Sequence, residues 1–221
     1  MPDLFTAIGT PAFVAADVSW GAAVSVGAGS CVGYPATARP SAPTSIGDGV
    51  VIGAHCVIED GAQLAARVSL DHFCRVGSGS VIGVDTRLLY GIHVFDQCHI
   101  GARCIVGGNV DDRAVLEDDV TFMGTMAHSY RHGGTVADWD TLVQPSPIIR
   151  KGAVVGQDAL ILGGIEIGER SYVAAGEIVR CDVPAFQVLY RGRLSPVSAW
   201  RGILSPRRLP DATSFGEYER L

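Results

Sequence analysis

One stretch of this sequence concentrates side chains that can carry out acid–base chemistry. Between Phe122 and Ile149 the chain reads MGTMAHSYRHGGTVADWDTLVQPSPI, with two histidines, Tyr130, Arg131 and the run Asp138-Trp139-Asp140. An imidazole has an unperturbed pKa of about 6.5 and therefore accepts a proton near neutral pH. Aromatic faces pack against sugar rings, and carboxylates accept hydrogen bonds from hydroxyl groups. The stretch therefore predicts a site for proton transfer on a polyol-like substrate.

The chain that must position this stretch repeats every six residues. From Ile46 to Val106, eleven consecutive positions at this spacing are aliphatic. The same step recurs over residues 14–32, 110–122 and 149–179, and the pattern breaks between these blocks. A short fixed period is the sequence signature of a repeat architecture, and insertions into such a repeat map to surface loops.

Each six-residue unit, or hexad, predicts one short strand and one corner. Counting the aliphatic residue as the first position, the fifth position is small or β-branched and the second is often Gly. The fifth and first positions point inward from one strand, the sixth points outward, and the second to fourth form the turn. Stacked units then bury a continuous aliphatic column. Four of the six cysteines occupy the fifth position, where a thiol packs as a small apolar group: Cys56, Cys74, Cys98 and Cys104.

The composition agrees with a solenoid of short strands. Gly accounts for 28 of 221 residues, charged residues for 18% and aromatic residues for 7%, and the mean hydropathy is +0.27. This balance excludes intrinsic disorder and argues against a helical bundle. Apolar runs fall short of the roughly 18 residues of a membrane-spanning helix, so we expect no membrane partner. The N-terminus shows no basic region before an apolar core, which favours a cytoplasmic location.

The charge distribution indicates an anionic ligand near the C-terminal end. The net charge of −6 disfavours nucleic acid as a partner. From Arg180 onward, however, seven Arg stand against four acidic residues, whereas the preceding part of the chain is acidic. A basic segment on an acidic body predicts a localised anionic group such as a phosphate.

On these repeats the chain resembles the hexapeptide-repeat superfamily over residues 14 to 195. The resemblance implies an all-β fold, a left-handed parallel β-helix with a triangular cross-section and three hexads to a coil. We therefore expect one β-helix domain over residues 1–194, with excursions at about 34–45 and 123–148, the second a protruding loop. Residues 195–221 are expected to form an irregular C-terminal extension. The superfamily also implies a homotrimer with active sites at the subunit interfaces.

The second half of the chain is similar to the galactoside and maltose O-acetyltransferases. The matching segments are Thr125–Ser129, Ser146–Ile149, Val155-Gly156, Gly163–Gly168, Val173–Gly176 and Asp182–Pro184. In those enzymes a loop His is the catalytic base, and it falls on His128. The resemblance implies acetyl transfer from acetyl-CoA to a small sugar-like acceptor, without a covalent intermediate and without a metal.

The same resemblance implies further site residues. Gln157 and Ala175 fall where family members contact the pantetheine arm of acetyl-CoA, and Arg180 falls near the adenosine end. Arg191 and Arg193 stand where the family usually reads Gly-Asn-Pro-Ala-Lys, and they keep its basic character. The acceptor-binding candidates are Asn109, beside the break at residues 107–109, and the loop residues Tyr130, Arg131, Asp138, Trp139 and Asp140.

The sequence leaves three alternatives open. Amino-sugar N-acetyltransferases of the superfamily also use a catalytic His, and residues 32–35 and 46–48 resemble them. A γ-carbonic anhydrase-like metalloenzyme would draw its three ligands from His93, His99, His128 and His132. His93 and His99 lie one hexad apart at outward positions, so we expect them to face away from adjacent sides of the triangle. A non-catalytic solenoid scaffold is the third alternative, and it would not depend on His128.

Overall fold

The computed structural model describes residues 13–36, 43–127 and 145–200. In these ranges the chain forms 26 strands of two to four residues and a short 3-10 helix at Val197–Ala199. None of the described helical structure is long and apolar enough to cross a membrane. Strand length is short because every hexad ends in a corner.

The strands follow one another around the coils in chain order. The first five coils contain β1 Phe13–Val14, β2 Ser19–Trp20, β3 Ser25–Val26, β4 Cys31–Tyr34, β5 Ser45–Ile46, β6 Val51–Ile52, β7 Val57–Glu59, β8 Gln63–Leu64, β9 Ser69–Leu70, β10 Arg75–Val76, β11 Val81–Ile82, β12 Arg87–Leu88, β13 His93–Val94, β14 His99–Ile100 and β15 Ile105–Val106. The later coils contain β16 Val115–Leu116, β17 Thr121–Phe122, β18 Thr125–Ala127, β19 Ile148–Ile149, β20 Val154–Val155, β21 Leu160–Leu162, β22 Glu166–Ile167, β23 Tyr172–Val173, β24 Ile178–Val179, β25 Gln187–Tyr190 and β26 Arg193–Pro196.

Parallel pairing between successive coils builds three sides. The first side contains β1, β4, β7, β10 and β13, continues through Asn109 and Val110, and ends with β18, β21 and β24. The second contains β2, β5, β8, β11, β14, β16, β19 and β22. The third runs from β3 through β6, β9, β12, β15, β17, β20 and β23 to β25, and β26 pairs with β25 in the antiparallel sense. The fold is the left-handed parallel β-helix that the family resemblance implies, although most parallel crossovers are right-handed.

We name the three edges of the prism after the sides that they join. The 1/2 edge lies between the first and second sides, and the 2/3 edge lies between the second and third. The 3/1 edge lies between the third side and the first side, where the chain passes from one coil to the next. The described residues that flank both predicted excursions lie at the 1/2 edge, after β4 and after β18. In coils two to four the 3/1 edge carries His55, Phe73 and Tyr90, whose neighbouring ring centroids are 5.2 and 5.5 Å apart.

The inward column predicted from the hexads forms the core. First-position residues from Val26 to Val179 and fifth-position residues such as Val50, Cys56 and Thr86 are buried. Val14 and Trp20 differ, since they are 40% and 43% exposed. They belong to the first described coil, which has only one neighbouring coil among the described residues. The hexad pattern alone therefore does not bury them.

Glycine at the second position allows the corners of successive coils to stack closely. A Cβ on Gly53 would lie 2.7 Å from backbone atoms of Asp71 in the next coil, and one on Gly47 would lie 2.7 Å from those of Ala65. In most corners a positive φ falls instead at the fourth position, where Arg67 and Phe73 adopt φ values of 59° and 61°. The left-handed conformation is thus often taken by a non-glycine residue, at a cost of about 1–2 kcal/mol.

On the 2/3 edge, ion pairs link the fourth-position residues of stacked coils. Arg67 Nε lies 2.6 Å from Asp85 Oδ1, and Arg103 Nε lies 2.6 Å from Asp119 Oδ1. The Asp85 carboxylate raises the pKa of Arg67 through a hydrogen bond, and the same hydrogen bond lowers the pKa of Asp85. The charges of these two pairs are therefore satisfied by one another.

Buried hydroxyl groups bridge the coils inside the prism. Thr86 Oγ1 donates to the Gly101 carbonyl at 2.7 Å and accepts the Cys104 N–H at 3.0 Å. Ser80 makes the same pair of bonds with Phe95 and Cys98. These bonds replace hydration for backbone groups that have no access to water.

Thr86→Val is expected to destabilise the protein by about 1–3 kcal/mol, because it leaves the Cys104 N–H and the Gly101 carbonyl without this partner. Urea unfolding monitored by circular dichroism measures the difference. Thr121→Val is the matched control, since Thr121 occupies an outward position on β17, and a change within about 0.5 kcal/mol is expected there. Equal stability of the Thr86 and Thr121 variants would contradict the assignment.

Candidate functional site

The described residues on both sides of the predicted long excursion lie at the 1/2 edge. On the N-terminal side, β18 pairs with β21 along three residues, from Thr125 to Ala127. On its return, the ring of Pro145 packs over Gly164, and the Ser146 hydroxyl donates to the carbonyl of Asp112. Residues 128–144 lie outside the described residues, and with them the predicted base His128 and the acceptor candidates Tyr130, Arg131, Asp138, Trp139 and Asp140.

Asn109 lies on the outer face of the first side, one coil from the root of the excursion. It bridges Thr125 in parallel register, and its carbonyl accepts the Met126 N–H at 3.1 Å. The Asn109 side chain is exposed. Among the described residues, this places a polar side chain beside the strand from which the predicted loop departs.

Two shortened corners explain the position of Asn109. The inward residues Val106 and Val110 are four residues apart, and Phe122 and Met126 are again four apart, whereas most successive inward residues are six apart. The corners stack so tightly that a Cβ on Gly108 would overlap the carbonyl oxygen of Gly124. The break at residues 107–109 is therefore a compact corner on the 3/1 edge.

Three of the predicted cofactor-binding residues share the 3/1 edge in successive coils. Gln157 and Ala175 are exposed at corresponding corners, and the Gly176 N–H donates to the Gln157 carbonyl at 2.9 Å. Arg191 follows β25 at the same edge, where its N–H donates to the Glu177 carboxylate. Arg193 pairs with Tyr190 in the final hairpin. Since stacked strands lie about 4.8 Å apart, these residues form a short row.

Arg180 stands apart from that row. It follows β24 and therefore lies on the 1/2 edge, on the opposite border of the first side from Gln157 and Ala175. Within one chain the structure does not bring it to the other cofactor candidates. A role in cofactor binding stays a prediction for all five residues.

The basic candidates keep their charges available. In the described parts of the chain, Arg180, Arg191 and Arg193 form no ion pair, unlike Arg150, whose guanidinium binds Glu166 at 2.7 Å and Glu117 at 2.9 Å. Hydrogen bonds from these two carboxylates raise the pKa of Arg150. An unpaired guanidinium is the better candidate for binding a phosphate.

A shallow cavity of about 400 Å³ on the second side does not coincide with the predicted site. Its lining includes Glu117, Arg150, Glu166, Glu169 and Asp182, and none of the predicted site residues contributes to it. Two of its carboxylates already bind Arg150. Ion pairs between coils therefore form part of the cavity wall.

The buried cysteines and the outward histidines take the positions that the hexads predict. Burial raises the pKa of Cys98 to about 12 and that of Cys104 to about 11, so these thiols stay protonated at neutral pH. His93 lies on the first side and His99 on the second, facing apart. Over residues 13–36, 43–127 and 145–200, no group of three His, Cys, Asp or Glu is placed to hold a metal.

Sequence reasoning missed Glu177, which lies near a cluster of aromatic residues. Glu177 stands at the fifth position of its hexad, where small or β-branched residues are the rule, and this departure was the available signal. Trp200 packs against Tyr190 at 5.2 Å and Tyr172 at 6.3 Å between ring centroids. Strand β26 runs through residue 194, the expected end of the β-helix, and reaches Pro196.

Known proteins are similar to this chain in sequence and in fold. A family model for the hexapeptide repeat of succinyl-transferase matches residues 43–71 and 148–181. The bifunctional protein GlmU of Bordetella parapertussis is 26% identical over 166 residues, covering 71% of this chain and 36% of that protein. GlmU of Shouchella clausii is 28% identical over 173 residues, covering 72% and 38%. The chain spans just over a third of the length of these curated relatives.

A solved structure shares the architecture. The UDP-N-acetylglucosamine acyltransferase from Campylobacter jejuni superposes with a TM-score of 0.52 at 14% identity. The match covers 83% of this chain and 71% of that one. At this identity the likeness establishes the fold.

Proposed function

We propose that this chain, whose residues 43–71 and 148–181 match a hexapeptide-repeat family model, is an acyltransferase of that superfamily and transfers an acetyl group from acetyl-CoA to a sugar-like acceptor. The arrangement of the first side carries the proposal. Asn109 lies on its face beside the root of the excursion, and Gln157 and Ala175 lie on its 3/1 edge. A hydroxyl acceptor is preferred over an amino group because the segment around His128 is similar to the O-acetyltransferases.

In the proposed mechanism His128 is the general base. Its imidazole takes the proton of the acceptor O–H while that oxygen attacks the thioester carbonyl. The tetrahedral intermediate collapses, the C–S bond breaks, and the imidazolium returns the proton to the departing CoA thiolate. The acetyl group therefore passes directly to the acceptor, without a covalent enzyme intermediate and without a metal.

Asn109 and the excursion supply the proposed acceptor site. The Asn109 amide offers both a donor and an acceptor to a substrate hydroxyl. Tyr130 and Trp139 would pack against the sugar ring, while Arg131, Asp138 and Asp140 would bind its polar groups.

The donor is proposed to lie along the 3/1 edge. Gln157 and Ala175 would contact the pantetheine arm, and Arg191 and Arg193 would bind the phosphates. The root of the excursion and Arg180 lie on the other border of the first side. A homotrimer in which the loop of one protomer meets the 3/1 edge of its neighbour would unite the two halves, which supports a site between subunits.

Acceptor-dependent release of CoA thiol is the experiment that tests this function. The purified protein is incubated with acetyl-CoA and matched panels of hydroxyl sugars, amino sugars and glycosylated metabolites. We expect thiol release with at least one acceptor, a product heavier by one acetyl group, and no effect of exhaustive chelation. Transfer confined to amino sugars would favour N-acetylation, and absence of acceptor-dependent release across the panel would contradict the proposal.

A further inference from the structure

The final hairpin turn is fixed to the 3/1 edge by one carboxylate. Arg191 and Gly192 form a two-residue turn between the paired residues Tyr190 and Arg193, with φ values of 50° and 68°. The N–H groups of both turn residues donate to Glu177, Arg191 to Oε1 and Gly192 to Oε2, the latter at 3.1 Å. A bidentate, charge-assisted contact of this kind fixes the place of the turn as well as its shape.

Glu177 occupies a position that the hexad normally gives to an inward apolar residue. One coil earlier on the same side the equivalent residue is the buried Ala159. Glu177 precedes β24, the last strand of the first side, so the hairpin turn rather than another strand lies against it. A half-buried carboxylate here requires partners, and the turn N–H groups supply them.

The turn holds the Arg191 guanidinium in a defined place, and this guanidinium has no ion-pair partner among the described residues. Arg191 Cζ lies 5.1 Å from the centroid of the Tyr190 ring, and that ring packs against Trp200. Ion pairs such as Arg67–Asp85 occupy the 2/3 edge, whereas Arg191 forms none with the part of the chain that the structure describes. A guanidinium held in this way can bind a phosphate through two parallel hydrogen bonds.

We propose that Glu177 is a positioning residue that fixes Arg191 for the phosphates of a nucleotide-bearing acyl donor. The inference rests on the proposed function, in which the donor lies along the 3/1 edge. Glu177 itself does not touch the donor, because its two oxygens bind the turn. Its effect therefore reaches only donors that carry phosphates.

The test compares acetyl-CoA with acetyl-pantetheine, which has the same thioester but lacks the phosphates. Glu177→Ala is expected to raise both KM for acetyl-CoA and Kd for CoA about tenfold, while kcat is preserved. Calorimetry measures the Kd for CoA. KM for acetyl-pantetheine should stay unchanged. Glu177→Gln, whose amide oxygen still accepts one N–H, should fall between. Arg191→Ala should match Glu177→Ala, and the double variant should lose no more than the single ones.

Glu169→Gln is the matched control. Glu169 is an exposed Glu on the 2/3 edge, with its carboxylate 3.5 Å from the Arg170 guanidinium, and its loss should leave both donors unaffected. Equal weakening of both donors in Glu177→Ala would show a general structural role and overturn the proposal. Unchanged or tighter CoA binding by Glu177→Ala would overturn the proposal as well. It would show that loss of the Glu177 negative charge affects phosphate binding more than loss of the contact that holds the turn. If either contradicting result were found in a protein whose wild type transfers acetyl groups normally, only the positioning role of Glu177 would be wrong. A wild-type protein that binds no CoA would contradict both the positioning role and the proposed function.

Discussion

His128→Ala is expected to lower kcat for acetyl transfer by about 10²-fold or more. Without the imidazole, the acceptor hydroxyl must lose its proton to water while it attacks the thioester, and positioned general bases are worth about 10² to 10⁴ in rate. KM for acetyl-CoA should change little, since the proposed donor contacts lie on the 3/1 edge. Steady-state thiol release, measured at equal protein concentration, gives both constants.

His99→Ala is the control for this variant. His99 is an outward-facing His on the second side, away from the proposed site. We expect its kcat to match wild type, and circular dichroism should show that both variants fold. Full activity of His128→Ala would contradict the catalytic assignment and favour the scaffold alternative. An equal loss in His99→Ala would point to general damage.

Gly108→Ala is expected to cost more than about 4 kcal/mol of unfolding free energy or to prevent folding. The added methyl group would overlap the Gly124 carbonyl oxygen. A flexible side chain can move aside from such a contact, but two stacked backbone corners cannot separate without breaking the pairing of Asn109 with Thr125. Urea unfolding and the yield of soluble protein measure the loss.

Gly91→Ala separates the clash from ordinary glycine effects. Gly91 has a φ of 70°, and a Cβ there would meet nothing within 4 Å. Its replacement should cost only the left-handed conformation, about 1–2 kcal/mol. Similar losses at positions 91 and 108 would contradict the importance of the tight corner. The comparison also tests whether Asn109 depends on that corner for its place.

The architecture could be predicted from the sequence because one period specifies it locally. Each hexad contains its own strand, its inward pair and its corner, so Ile52, Cys56 and Ile58 reach the core without reference to distant residues. The pattern failed at Val14 and Trp20, since burial there depends on a neighbouring coil and not on the hexad itself. It also did not reveal that corner glycines such as Gly53 are needed for close stacking.

The candidate site was only partly predictable. Composition and motif pointed to the excursion, to Asn109 and to a basic C-terminal segment. The sequence did not reveal that Arg180 and Arg191 border opposite edges of the first side, because linear distance carries no information about which edge a corner joins. Glu177 was overlooked because its role depends on a turn 14 residues later that folds back onto it.

By itself the sequence determined the repeating unit, the inward column and the places where the repeat is interrupted. These follow from short-range alternation of apolar, small and turn-forming residues. Only the tertiary structure decided which interruptions share an edge, that the shortened corners bring Asn109 beside Thr125, and that Glu177 holds the turn bearing Arg191. Those relations depend on how many residues each coil contains, since adding or losing residues at one corner changes which residues meet in the next coil.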